Sequence, residues 1–158
     1  GFALPSGPLL WHLISLAVIV LLIPISYFQA KSSINQKEYP QIRETNWNSG
    51  LIFSNILSWI IYLIGYEILF RGLLLFPIEA EFGVFLAIVI NSGFYSITHM
   101  SKGFREALGS LPIGIILAII AINTQSILYP LIIHIVMAVS NSVFSIIHNP
   151  EMKVEVKS

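Results

Sequence analysis

Gly65-Tyr66-Glu67-Ile68-Leu69-Phe70-Arg71-Gly72 sets a glutamate and an arginine inside an apolar run, Leu51 to Phe76, that carries no other charge. The run exceeds the ~20 residues with which a helix crosses the ~30 Å hydrocarbon core of a bilayer. Glu67 and Arg71 are one turn apart, share a helix face and can pair. Ionisable side chains are costly to hold at membrane depth, and their default reading is a functional site.

Composition places the rest of the chain in the same solvent. Of 158 residues, 56% are hydrophobic and 10% are charged, with a mean hydropathy of +0.83. Soluble chains carry roughly 25% charged residues, so too little polar surface remains here to cover a water-soluble globule. Net charge is zero and the basic residues are dispersed, which excludes a nucleic-acid footprint. The acids are all glutamates and cysteine is absent, which excludes disulfides, thiolate catalysis and cysteine-based metal sites. The terminal Val154-Glu155-Val156-Lys157-Ser158 lacks the cysteine of a prenylation signal. The opening Gly1-Phe2-Ala3 has no methionine, as in a fragment. The first apolar run lacks the basic flank of a signal peptide and suits a spanning helix better.

Apolar runs predict an all-α, polytopic transmembrane bundle of about five spans: Leu9–Phe28, Leu51–Phe76, Phe82–His99, Leu108–Ile122 and Ile127–Ile147. Pro77 is expected to end the second span, Gly83 to open the third and Pro150 to close the fifth. Pro112 and Pro130 are expected near helix starts, where proline is tolerated. Residues 1–50 then hold the first span and a polar linker, Ala30 to Gly50, expected to lie on the membrane surface with Tyr39 and Trp47 as aromatic anchors. Residues 51–150 form the core, and residues 151–158 a short polar tail.

Threading these spans puts Lys31, Lys37, Arg43, Lys102, Arg105, Lys153 and Lys157 on one side of the membrane. Glu79 and Glu81 lie on the other. The positive-inside rule makes the basic side cytoplasmic. The expected setting is a bacterial-type plasma membrane with a cytoplasmic C-terminus. Arg71 alone departs from the pattern, inside the membrane beside Glu67.

Further polar residues lie in the later spans. Asn91, Tyr95 and His99 succeed one another by one turn, while His134 and Asn141 are two turns apart on one face. Glu106 opens the fourth span. Facing inward together, such groups would hold a water molecule or a metal ion, a set suited to hydrolysis. A carboxylate in an apolar pocket gains basicity by desolvation and takes a proton from water. Imidazoles orient that water, stabilise an oxyanion or bind zinc, and Arg71 would keep Glu67 ionised and oriented. Each residue also has a plainer reading: an ion pair that fixes packing, an interfacial His99, asparagines as interhelical glue, Glu106 as a loop acid. His12 and His148 read as interfacial. Only the combination points to chemistry.

That combination resembles the CPBP intramembrane metalloprotease family, which comprises CAAX-processing endopeptidases and bacteriocin-immunity proteins and is also called lysostaphin-resistance-protein-A-like. The likeness is carried by Glu67-x-x-x-Arg71-Gly72, Tyr95-x-x-x-His99 and the late His134. Leu111-Pro112-Ile113-Gly114 and Ser126-Ile127-Leu128-Tyr129-Pro130 add to it, over roughly Leu51 to Asn141. The resemblance implies an intramembrane endopeptidase, similar to CAAX prenyl protease 2, acting on a membrane-associated or prenylated peptide. Glutamate would activate water, and the histidines would bind that water or a metal. Glu67, Arg71, His99, Glu106 and His134 are then the catalytic candidates. Glu67, His99 and His134 are the metal candidates, with a divalent ion such as zinc, or none, left open.

Two positions depart from the family pattern. Its first motif usually begins with two glutamates, and Tyr66 occupies the first place. Its last motif usually has an asparagine one turn after the histidine, where this chain has Ala138. The chain resembles a single-glutamate branch in which Glu106 supplies the second carboxylate. The alternative is a catalytically degenerate member that binds a membrane partner, as in immunity. A small transporter using the polar stripe is a third reading, without the repeated halves such folds show.

Overall fold

The computed structural model describes residues 2–155. Lys157 and the rest of the expected tail from residue 156 lie outside the described residues. The chain is 80% helical. Among the described residues five helices are long and apolar enough to cross a membrane: Leu9–Ala30, Ser49–Phe82, Val84–Lys102, Phe104–Thr124 and Leu128–His148. Leu13, Val20, Phe53, Ile61, Leu73 and Phe85 are among many large apolar side chains left exposed. An outward surface of that kind suits lipid rather than water. The chain is an integral membrane protein with an all-α bundle.

In chain order the helices are α1 (Leu9–Ala30), α2 (Ser33–Glu38), α3 (Ser49–Glu67), α4 (Phe76–Phe82), α5 (Val84–Thr98), α6 (Phe104–Thr124) and α7 (Leu128–His148). A π-helical segment, Ile68–Leu75, joins α3 to α4, and a 3-10 turn, His99–Lys102, follows α5. Pro77 therefore does not end the second span. The π segment shifts the hydrogen-bond register just before it, with the Phe76 N–H donating to Arg71 O. That places Pro77 in the first turn of α4, where no N–H is needed. Pro112 lies inside α6 rather than near its start. Gly103, at φ 104°, breaks the chain directly ahead of Phe104, so α6 begins earlier than the apolar run suggests.

The chain forms two compact units. One gathers the residues up to Leu16 with Ile64–Ile133, the other Ala17–Leu63 with the residues from His134 onward. In the first unit α5 and α6 pack most extensively. Leu75, Ala87, Ala118, Ala121 and Ile122 form a buried cluster there, flanked by Phe76, Ile78 and Ile88. Small side chains let apolar helices approach closely without help from water. Gly114 marks the closest approach: a Cβ there would sit 2.9 Å from Tyr95 Cδ1 and 3.5 Å from Ser92 Cα.

The second unit is held by polar side chains on α7. Asn141 Nδ2 donates to Asn35 Oδ1 at 3.1 Å, and Asn35 Nδ2 donates to Ser145 Oγ at 2.9 Å. Asn55 Nδ2 donates to Ser142 Oγ at 3.0 Å. The linker is thus built into the fold. Trp47 is fully buried and Tyr39 nearly so, Tyr39 stacking on Trp59 at 6.3 Å. Neither is an anchor displayed on the surface, because α2 is tied to α7 and the tail pairs with the linker. Asn46–Trp47 (β1) runs parallel to Lys153–Val154 (β2). His148 packs edge-on against Tyr27 at 4.9 Å.

Candidate active site

Glu67 is the last residue of α3, and Arg71 lies in the π segment that follows. Arg71 Nη1 donates to Glu67 Oε1 at 3.2 Å, with both side chains at zero exposure. The guanidinium also lies over the Tyr95 ring, its Cζ 4.7 Å from the centroid, so charge pairing and a π face together offset its burial. Arg71 Nε and Nη2 have no hydrogen-bond partner among the described residues. They are buried donors able to take a carbonyl or carboxylate oxygen.

A π segment widens the helix and re-aims its side chains, and such segments recur at functional sites. Here Asn91 supports it: Nδ2 donates to Phe70 O at 2.5 Å, and Asn91 is itself fully buried. The asparagine read as interhelical glue braces the backbone between Glu67 and Arg71. Beside it stands an aromatic cluster. Tyr66 stacks on Phe70 at 4.3 Å, and Tyr95 meets both rings edge-on, at 5.7 and 6.0 Å.

His99 joins this cluster at the first residue of the 3-10 turn. Its ring is 4.7 Å from Tyr95 and 6.3 Å from Tyr66, and its Nδ1 lies 2.8 Å from Tyr95 O. A carbonyl oxygen only accepts, so the neutral imidazole carries its proton on Nδ1 and its lone pair on Nε2. The first unit thus brings Glu67, Arg71, Tyr95 and His99 into one neighbourhood.

Glu106 sits in the first turn of α6 and is partly buried. Ser96 Oγ donates to Ala107 O at 2.6 Å, tying the backbone next to Glu106 to the last turn of α5. His134 belongs to the second unit, on α7, and is 5% exposed. Among the described residues no group of three His, Asp or Glu side chains is placed to hold a metal ion.

Two partners had no signal in the sequence. Thr98 accepts or donates to the Tyr66 hydroxyl at 2.6 Å, a contact between helices that no spacing announces. His12, expected at an interface, has Nδ1 3.1 Å from the Tyr129 hydroxyl, which ties α1 to α7 inside the first unit.

Fold and site define an integral membrane helical bundle in which a buried carboxylate–arginine pair and an imidazole pack against one tyrosine ring. The chain belongs to the Type II CAAX prenyl endopeptidase Rce1-like family, whose model matches residues 48–140. That span holds Glu67, Arg71, His99, Glu106 and His134. Comparison with curated proteins and with solved structures gave no match.

Proposed function

We propose that the chain is an intramembrane endopeptidase that hydrolyses a peptide bond of a membrane-associated substrate, a prenylated CAAX-type peptide by family membership. The observation that carries this reading is the fully buried Glu67–Arg71 pair, whose guanidinium lies over the Tyr95 ring that His99 also packs against. Glu67 takes a proton from water as the water oxygen bonds to the scissile carbonyl carbon. The carbonyl π electrons move to oxygen, and the resulting oxyanion is stabilised by hydrogen-bond donors, a role proposed for His134. The C–N bond then breaks, and the proton held on Glu67 passes to the departing amine. His99 orients the water through Nε2, Arg71 holds the Glu67 side chain in place through Nη1, and Glu106 supplies the supporting carboxylate that Tyr66 cannot. Residues 51–150 act as the protease core, with a cytoplasmic C-terminus.

The test is cleavage of a farnesylated CAAX peptide by the purified protein in lipid vesicles. Glu67→Gln and His134→Ala should each abolish turnover; full activity in Glu67→Gln would overturn the reading. Tyr66 in place of a carboxylate and Ala138 in place of an amide favour a second reading, a partner-binding member without catalysis. Partner capture that survives both substitutions, with no cleavage by the native chain, would support it.

A further inference from the structure

We infer that Tyr66 is a positioning residue, whose hydroxyl acts through Thr98 and the Tyr95 carbonyl to hold His99 in its Nδ1–H tautomer. The inference rests on the proposed role of His99 toward water, but the tautomer can be measured without any substrate.

The direction of each hydrogen bond follows from the number of hydrogens present. Tyr95 O can only accept. At the end of α5 the His99 backbone N–H turns to Ser96 and Ile97 carbonyls, so side chains serve Tyr95 O instead. Thr98 Oγ1 donates to it at 2.8 Å, and His99 Nδ1 lies at the same distance. Its two lone pairs are then matched by one hydroxyl and one ring N–H. Thr98 has a single hydroxyl hydrogen, already directed at Tyr95 O. The 2.6 Å contact with Tyr66 therefore has the phenol as donor. The order is Tyr66 O–H to Thr98 Oγ1, Thr98 O–H to Tyr95 O, and His99 Nδ1–H to the same oxygen.

This order gives a physical role to the residue that departs from the family pattern. A carboxylate at position 66 would only accept, and would draw the Thr98 hydrogen away from the Tyr95 carbonyl. Tyrosine donates instead, and its donation polarises the Thr98 hydroxyl toward the carbonyl. Stacking on Phe70 holds the phenol in place. With Thr98 unanchored, the carbonyl can turn back toward the helix ladder, and His99 loses the acceptor that keeps its proton on Nδ1.

The experiment is nitrogen-15 NMR of the histidine-labelled protein in detergent micelles, at one alkaline pH where imidazole is neutral. His99 is assigned by its loss in His99→Gln. The native chain should show one protonated and one pyridine-like ring nitrogen in the Nδ1–H pattern. In Tyr66→Phe and in Thr98→Val the two shifts should converge as tautomers mix, while Thr98→Ser should keep the native pattern. Cleavage assayed alongside should show kcat of Tyr66→Phe reduced roughly 10–100-fold, the size of effect expected on losing an orienting partner, with KM unchanged. A native Nε2–H pattern, or Tyr66→Phe and Thr98→Val spectra that match the native one, would overturn the inference. Convergent shifts in protein that cleaves no peptide would uphold the positioning and sink the proposed function. Intact cleavage with tautomers indifferent to Tyr66 would do the reverse.

Discussion

Arg71 is held by two partial solutions to one problem: Glu67 at 3.2 Å and the face of Tyr95. Removing the arginine leaves a buried carboxylate without its counter-charge. Arg71→Ala should lower stability by about 3–5 kcal/mol, read as a fall in thermal midpoint in detergent. Arg71→Lys should not restore it, because an ammonium neither stacks on Tyr95 nor offers a planar fork. Glu106 answers a separate question. If it is the second carboxylate, Glu106→Gln abolishes peptide cleavage while the melting temperature stays put. Full activity in that variant would leave Glu67 as the sole acid of the reaction.

The π segment is the element on which the candidate site depends, and its neighbours hold it in register. Asn91→Leu would leave the Phe70 carbonyl without the amide it now accepts from, at about 1–3 kcal/mol. Amide hydrogen exchange across Ile68–Leu75 should quicken in that variant before exchange in α6 does. The close approach of α5 and α6 makes a second prediction. A methyl group at Gly114 would meet the Tyr95 ring at 2.9 Å and the α5 backbone beyond it. Gly114→Ala should therefore cost about 1–3 kcal/mol by overpacking. Because Tyr95 carries the carbonyl that binds His99, the same variant should also lower cleavage, a coupling that a surface substitution would not show.

At the scale of the whole molecule, the proposed orientation puts the basic segments in the cytoplasm. The chain has no native cysteine, so single introduced cysteines report topology without background. In sealed right-side-out vesicles, Glu81→Cys should react with an impermeant maleimide from outside. Arg105→Cys should react only after permeabilisation. The opposite pattern would invert the proposed orientation and place Lys31, Lys37 and Arg43 outside, against the positive-inside rule.

Spans, class and family motif were legible in the chain alone, because hydrocarbon-length apolar runs and a charged pair at membrane depth are local statements. The five runs coincide with the five helices, and Glu67 and Arg71 pair because one helical turn separates them. Register and partnership were not legible. Pro77 reads as a stop in any local window, and only the π segment before it makes it a first-turn residue. Trp47 reads as an interfacial anchor until the tail strand pairs beside it. Tyr66 reads as a lost carboxylate until Thr98, far along the chain, is found at its hydroxyl. Periodicity reports which face a side chain occupies, whereas a hydrogen bond between helices depends on their packing, and packing decided that Tyr66 serves as a donor in the first motif.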